Sequence, residues 1–246
     1  PEEYVAANVT GTALLLEASH RHGVKSFVYA SSSSVYGDLP KGTPFVETME
    51  PKPISPYAAS KLAAEVMAGT YHRLHGLHTT GLRFFTVYGP RGRRDMAPFL
   101  FMDAMVRGEP ITRFGDGSSY RDYACVTDVA KGVVRALHAR AGPGDAVYNM
   151  GFGAPTTLDE FIAACERITG EEAVVVQGDD RKGDVLGTYA DISLARAELG
   201  YDPSVSLEEG LQLTIDAYRV EREQQRVIDG CGRPMPKPRR RVPLGE

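Results

Sequence analysis

Tyr57 and Lys61 stand four residues apart in the stretch Ser55-Pro56-Tyr57-Ala58-Ala59-Ser60-Lys61. On a helix that spacing places both side chains on one face. A tyrosine hydroxyl ordinarily gives up its proton near pH 10 and is a poor base at neutrality. An ammonium beside it favours the phenolate, and about 4 kcal/mol of such preference brings the group into the working range. The pair could then take a proton from a substrate hydroxyl. Tyr-x-x-x-Lys is a frequent spacing on ordinary helices, so its surroundings must supply the specificity. A second set of hydroxyls, Ser31-Ser32-Ser33-Ser34, follows an apolar run at residues 26–30. Arg91, Arg93 and Arg94 crowd a third, cationic loop. His72 and His75 are three apart on one helix without a carboxylate or cysteine in a matching motif, so no metal is expected.

These groups need elements to position them. Ser55 suits a helix N-cap and Pro56 the first helical position, and Gly76 marks the end. The run at 26–30 reads as a buried strand, as does 79–87, closed by Tyr88-Gly89-Pro90. A helix over residues 4–22 precedes the first strand. Helix, strand, helix, strand with short links is the rhythm of a parallel sheet with crossover helices. In such sheets ligands sit beyond the carboxyl ends of the strands, where the serine run lies. Further on, a helix is expected over 97–107, strands at 111–114, 124–126, 146–150 and 173–176, and a helix capped by Thr127 up to His138. Thr157 with Glu160 and Ser206 with Glu209 form capping boxes that start two more helices.

Composition bounds the class. The chain has 246 residues, 42% hydrophobic and 24% charged, with formal net charge -4. That length supports a full core without disulfides or metal, and the charge gives no argument for nucleic acid or membrane binding. Three cysteines, Cys125, Cys165 and Cys231, are widely spaced and fit the reduced thiols of a cytoplasmic protein. No run approaches the ~20 apolar residues of a membrane span.

In chain order the serine run, the Tyr57–Lys61 helix and the strand ending in Thr86-Val87-Tyr88-Gly89 are far more specific than any one of them. On these residues the chain resembles the extended short-chain dehydrogenase/reductases, in their NAD-dependent nucleotide-sugar epimerase/dehydratase branch. The matching stretches are Asn8-Val9-Thr10-Gly11-Thr12 and residues 29–37, 57–61, 83–90, 115–117, 121–123 and 181–184. The resemblance implies an α/β fold: a partial Rossmann-type doubly wound parallel sheet, with a smaller α/β substrate domain. Residues 1–88 and 119–150 would belong to the NAD-binding domain and 89–118 and 151–229 to the nucleotide-sugar domain, with 230–246 a flexible tail.

It also implies roles. Tyr57, as phenolate, would take the proton of a sugar 4-hydroxyl while hydride leaves C4 for the nicotinamide. Lys61 would hold the ribose and favour the phenolate, and Ser32 would bond the same sugar oxygen. Asn8 and Phe84 would join Tyr57 and Lys61 around the cofactor. For epimerisation the 4-keto sugar turns over and the hydride returns to its other face, so NAD is a bound catalyst. Arg121 and Arg181 match diphosphate-contacting arginines, and Asp184 the acid that binds the uridine ribose. Structural roles are expected for Asp122 and Asp128.

Dehydrating relatives usually carry an Asp-Glu pair where this chain has Ser33-Ser34, and water elimination needs such an acid and base. The same residues disfavour a decarboxylase. A uronic acid substrate poses a separate problem, because its 4-keto form is a β-keto acid prone to lose carbon dioxide. Ser33, Ser34 and Thr86 look like donors that hold the carboxylate away from the reactive alignment, with Arg93 adding a charge contact or a gate. The stretch 83–96 is very similar to that of UDP-glucuronate 4-epimerases, which points to UDP-glucuronate and UDP-galacturonate. A UDP-glucose 4-epimerase, another epimerase or reductase of the branch, and a nucleotide-binding relative without turnover remain open.

Such enzymes begin with a strand, a glycine-rich turn and a helix that hold the pyrophosphate. No such fingerprint occurs; the stretch 151–156 contains Pro155 and lacks a third glycine. At about 30 residues per strand–helix unit, roughly 80–90 residues are expected ahead of this chain. The expectation is therefore an N-terminally incomplete chain that alone binds NAD poorly and is inactive, and a homodimer when full length.

Overall fold

A computed structural model describes residues 1–139, 144–178 and 187–230, with side chains up to residue 224. Strands β1 (Ser26–Ser32), β2 (His78–Phe84) and β6 (Asp145–Met150) form a parallel sheet in the order β1-β2-β6. β2 runs through the middle, and its interior residues are buried because strands flank it on both sides. Gly81 is a glycine for a packing reason: a Cβ there would stand 2.6 Å from the Tyr29 hydroxyl and 2.9 Å from Val147. Ser32, Phe84 and Met150 lie side by side at the carboxyl ends of the three strands.

Helix α3 (Pro56–His75) crosses from β1 to β2. Ser55 caps it by accepting the Ala58 N–H at 3.1 Å, Pro56 opens it, and Gly76 closes it at φ +66°. These are the start and stop the sequence predicts. The first helix departs from expectation. Between α1 (Glu2–Tyr4) and α2 (Gly11–Arg21), residues Val5–Thr10 form wider π-helical turns. Asn8 sits in that widened segment and donates to Ser60 of α3 at 2.9 Å.

The run expected as one strand over 79–87 is two. It breaks at Phe85, whose buried ring packs 5.8 Å from Phe45, and β3 (Thr86–Tyr88) then pairs with β5 (Tyr120–Cys125) in another sheet. β5 also pairs antiparallel with β7 (Pro155–Thr157), which the sequence did not announce. The run hides its break because strand-forming residue types continue on both sides of Phe85. The serine run divides as well: Ser31 and Ser32 finish β1, and Ser33 and Ser34 open a 3₁₀ turn, Ser33–Tyr36. Thr127 does not cap its helix; α5 (Val126–His138) begins two residues earlier, with Cys125 at the N-cap position, and the Thr127 hydroxyl lies 3.3 Å from Cys125 Sγ.

Helix α4 (Ala97–Arg107) and strand β4 (Ile111–Phe114) have their expected ends, and β4 pairs with β8 (Val175–Gly178). Both capping boxes form, opening α6 (Leu158–Thr169) and α8 (Leu207–Gly230). Short helix α7 (Ser193–Leu199) lies between them. One apolar core joins α4, α6 and α8 around Tyr123 and Phe161; a second lies against the parallel sheet around Tyr36, Leu82, Tyr148 and Tyr201. Among the described residues no helix is long and apolar enough to cross a membrane.

Candidate active site

The first turns of α3 bring Tyr57 and Lys61 to the carboxyl end of β1. Lys61 Nζ donates to the Ala30 carbonyl at 3.1 Å and lies 5.8 Å from the centroid of the Tyr57 ring. Partial burial disfavours the ammonium and lowers its pKa from the ordinary lysine value. Among the described residues its hydrogen bond is to Ala30, which leaves two ammonium N–H groups to meet a ligand. The ring of Tyr4 meets Tyr57 edge-on at 5.5 Å. Ser60 donates back to the Tyr57 carbonyl at 2.7 Å and accepts from Asn8, so Asn8 braces the helix that carries the tyrosine.

Ser32 accepts two bonds from Ser34, one from its amide at 3.2 Å and one from its hydroxyl at 2.9 Å. With both incoming bonds on its oxygen, the Ser32 hydroxyl proton can be donated outward, and the donors polarise it in that direction. Arg93 is exposed and holds Asp95 with two bonds, at 3.1 and 2.8 Å. Those bonds raise its pKa, and Tyr57 and Tyr4 lie close enough to add to the effect. Arg93 thus sits at the edge of the Tyr57 site.

Arg121 is elsewhere. It lines a groove of about 1030 Å³ with Asp95, Leu100, Phe114, Ser118 and Tyr123, and its Nη1 donates to the Tyr120 carbonyl at 2.9 Å. Asp95 connects the groove to the Tyr57 site, since it borders the first and pairs with Arg93 at the second. Thr86 lies opposite Tyr123 where the chain changes sheets. Arg181 and Asp184 lie outside the described residues. Asp122 is buried and accepts amides from Phe152, Gly153 and Ala190, so it stitches three segments together; burial raises its pKa. His72 bonds the Leu77 carbonyl and His75 stacks on His20, and among the described residues no cluster suits a metal.

The sequence reading missed a group directly beneath these residues. Glu65 of α3, Arg83 of β2 and Ser31 of β1 form a buried hydrogen-bonded set. Burial works against the Arg83 charge, but the Glu65 bonds outweigh it and hold the pKa above the ordinary arginine value. The available signal was the four-residue step from Tyr57 to Lys61 to Glu65.

The nicotinamide–ribose end of a dinucleotide fits the residues present: Lys61 has unused donors, and Tyr57 and the end of β2 at Phe84 flank the place where open α/β sheets take their ligands.

The model of the "NAD dependent epimerase/dehydratase family" matches residues 1–151. A UDP-glucuronate 4-epimerase of Thermodesulfobacterium geofontis is 41% identical over 218 residues, covering 88% of this chain and 66% of its own length. The UDP-glucuronic acid 4-epimerase of Bacillus cereus, solved with UDP-glucuronic acid and NAD, is 35% identical with a TM-score of 0.83, over 88% of this chain and 68% of that one. The UDP-glucose 4-epimerase of Thermotoga maritima, solved with UDP-glucose, is 38% identical with a TM-score of 0.82, over 87% of this chain and 70% of that one. By the family match and these identities, the chain belongs to the NAD-dependent epimerase/dehydratase family.

Proposed function

We propose that this protein inverts C4 of a UDP-sugar, most readily UDP-glucuronate to UDP-galacturonate, with NAD as a bound catalyst. The observation that carries the reading is Tyr57 and Lys61 one turn apart, with Lys61 anchored on the Ala30 carbonyl of β1, the strand that ends in Ser32. Tyr57 accepts the proton of the 4-hydroxyl, Lys61 supplies positive charge and ribose contacts, and Ser32 bonds the same sugar oxygen. Bound NAD supplies an acceptor and donor of hydride. Arg121 meets the diphosphate from the groove, whose volume suits a nucleotide sugar. Ser33, Ser34, Thr86 and Arg93 face the sugar carboxylate, with Asn8 and Phe84 on the cofactor side. Arg181 and Asp184 are assigned to the nucleotide on sequence grounds.

Residues 1–88 with 119–150 then serve the cofactor, and 89–118 with 151–229 the sugar nucleotide. A homodimer is the accompanying reading, carried by exposed Leu14 and Leu15 of α2 and Val66 and Leu74 of α3. A cytoplasmic location goes with it. The second reading is a UDP-glucose 4-epimerase, favoured by the 38% identity to the Thermotoga maritima enzyme.

Incubation of the full-length protein with UDP-glucuronate and NAD, followed by chromatography of the sugar nucleotides, is expected to yield UDP-galacturonate. Tyr57→Phe is expected to lower turnover by about 10²–10⁴-fold, the span of a lost general base. Interconversion of UDP-glucose and UDP-galactose alone would replace the substrate reading. Full activity in Tyr57→Phe would end the mechanism.

A further inference from the structure

Tyr57, Lys61 and Glu65 follow one another at four-residue steps along α3, so their side chains share one helix face. Glu65 has no part in the proposed chemistry, yet its side chain is only 8% exposed and that of its partner Arg83 only 4%. Arg83 grips the carboxylate with two bonds, Nε to Oε1 at 2.9 Å and Nη2 to Oε2 at 2.7 Å. Ser31 donates to the same Oε1 at 2.5 Å. Around the guanidinium, the Tyr36 ring lies 4.7 Å away and the Glu47 carbonyl accepts from Nη1 at 3.4 Å. Tyr36 is itself fixed by its bond to Asn149 at 2.7 Å.

The places of these residues matter as much as their bonds. Ser31 immediately precedes Ser32, and Arg83 lies opposite Ser31 in the β1–β2 register. A single carboxylate therefore fastens α3 to the carboxyl ends of two strands. One turn nearer the helix start, Lys61 is bonded to Ala30. Enclosing two opposite charges is expensive in desolvation, and apolar residues of similar volume often serve stability equally well. What a bidentate pair provides and apolar packing does not is a set distance and angle.

We propose that Glu65 and Arg83 are positioning residues, whose clamp with Ser31 sets the height and rotation of α3 over β1 and thereby the placement of Tyr57 and Lys61 relative to Ser32. This rests on the reading of Tyr57, Lys61 and Ser32 as the catalytic group.

The test uses the full-length protein as wild type, as Glu65→Gln and as the double variant Glu65→Leu/Arg83→Met. Glu65→Gln preserves shape and keeps the test open if the double variant fails to fold. With UDP-glucuronate and NAD, the double variant should keep a cooperative melt near that of wild type, and Glu65→Gln, which leaves the buried Arg83 charge without its carboxylate, should melt lower. In both, kcat per folded molecule falls about 100-fold and KM barely changes, as for a misplaced reacting group. Lower melting with unchanged kcat per folded molecule would overturn the proposal, because that is the signature of a merely structural pair. A second readout needs no turnover: NMR of ring-labelled tyrosine, with Tyr57 assigned by its loss in Tyr57→Phe and Tyr123 by its loss in Tyr123→Phe. The Tyr57 signal is expected to move in both clamp variants while Tyr123, in the other core, stays. An unmoved Tyr57 signal overturns the inference. A Tyr57 signal that moves in the clamp variants, together with a wild type that turns over no UDP-sugar, upholds the clamp and removes the catalytic reading instead.

Discussion

Lys61 is where opposing demands on a single side chain meet. Partial burial favours the neutral amine and lowers its pKa, whereas the proposed chemistry needs the ammonium. The Ala30 carbonyl at 3.1 Å stabilises the charged form and holds it near the Tyr57 ring. Thr86 raises a question of specificity at the same scale. If its hydroxyl helps hold a sugar carboxylate, Thr86→Val removes that bond with little change of shape. A hydrogen bond to a charged group is worth about 1.5–3 kcal/mol, so the variant should shift the balance between epimerisation and carbon dioxide loss at least ~10-fold. The ratio of decarboxylated to epimerised nucleotide sugar, read by mass spectrometry, checks this. An unchanged ratio would remove Thr86 from the carboxylate site.

Among the elements, the short turn after β1 carries unusual responsibility, because it presents Ser33 and Ser34 and closes on a glycine in a strained, crowded place. Gly37 closes it at φ +78°, and a side chain there would run into the Lys52 carbonyl. Gly37→Ala meets both obstacles and should destabilise the fold by at least about 1 kcal/mol, seen as a lower midpoint in thermal unfolding. Elements with local signals were readable. Helix α3 has Ser55, Pro56 and Gly76 at its ends, and α6 has its Thr157–Glu160 box. The π-helical turns at Val5–Thr10 and the break at Phe85 had none: one preserves the helical spacing of apolar residues, the other lies inside a continuous apolar run.

Across the whole molecule, Asp128 joins the start of α5 to the chain before α8. Its side chain is 1% exposed and accepts the Ser204 and Val205 amides at 2.7 and 2.8 Å and Lys131 at 2.9 Å. Burial opposes its charge, but these donors together outweigh it and hold its pKa below the ordinary aspartate value. A carboxyl depressed in the folded state adds stability above its unfolded pKa, near 3.9, and loses it as pH falls through the folded value. Asp128→Asn should therefore cost about 1–3 kcal/mol at pH 7 in urea unfolding, with the two curves drawing together in more acid solution. A gap independent of pH would contradict this account. Residue types and short spacings were enough to identify the Tyr57–Lys61 helix, the serine run and the family resemblance, because helical periodicity and end caps are decided within a few residues. Spacing could not reveal that Glu65 bonds Ser31 across 34 residues, that Phe85 marks a change of sheet, or that Arg121 lines a groove bordering the Tyr57 site through Asp95. Those relations depend on which distant surfaces are buried against each other, and only the packed chain decides that.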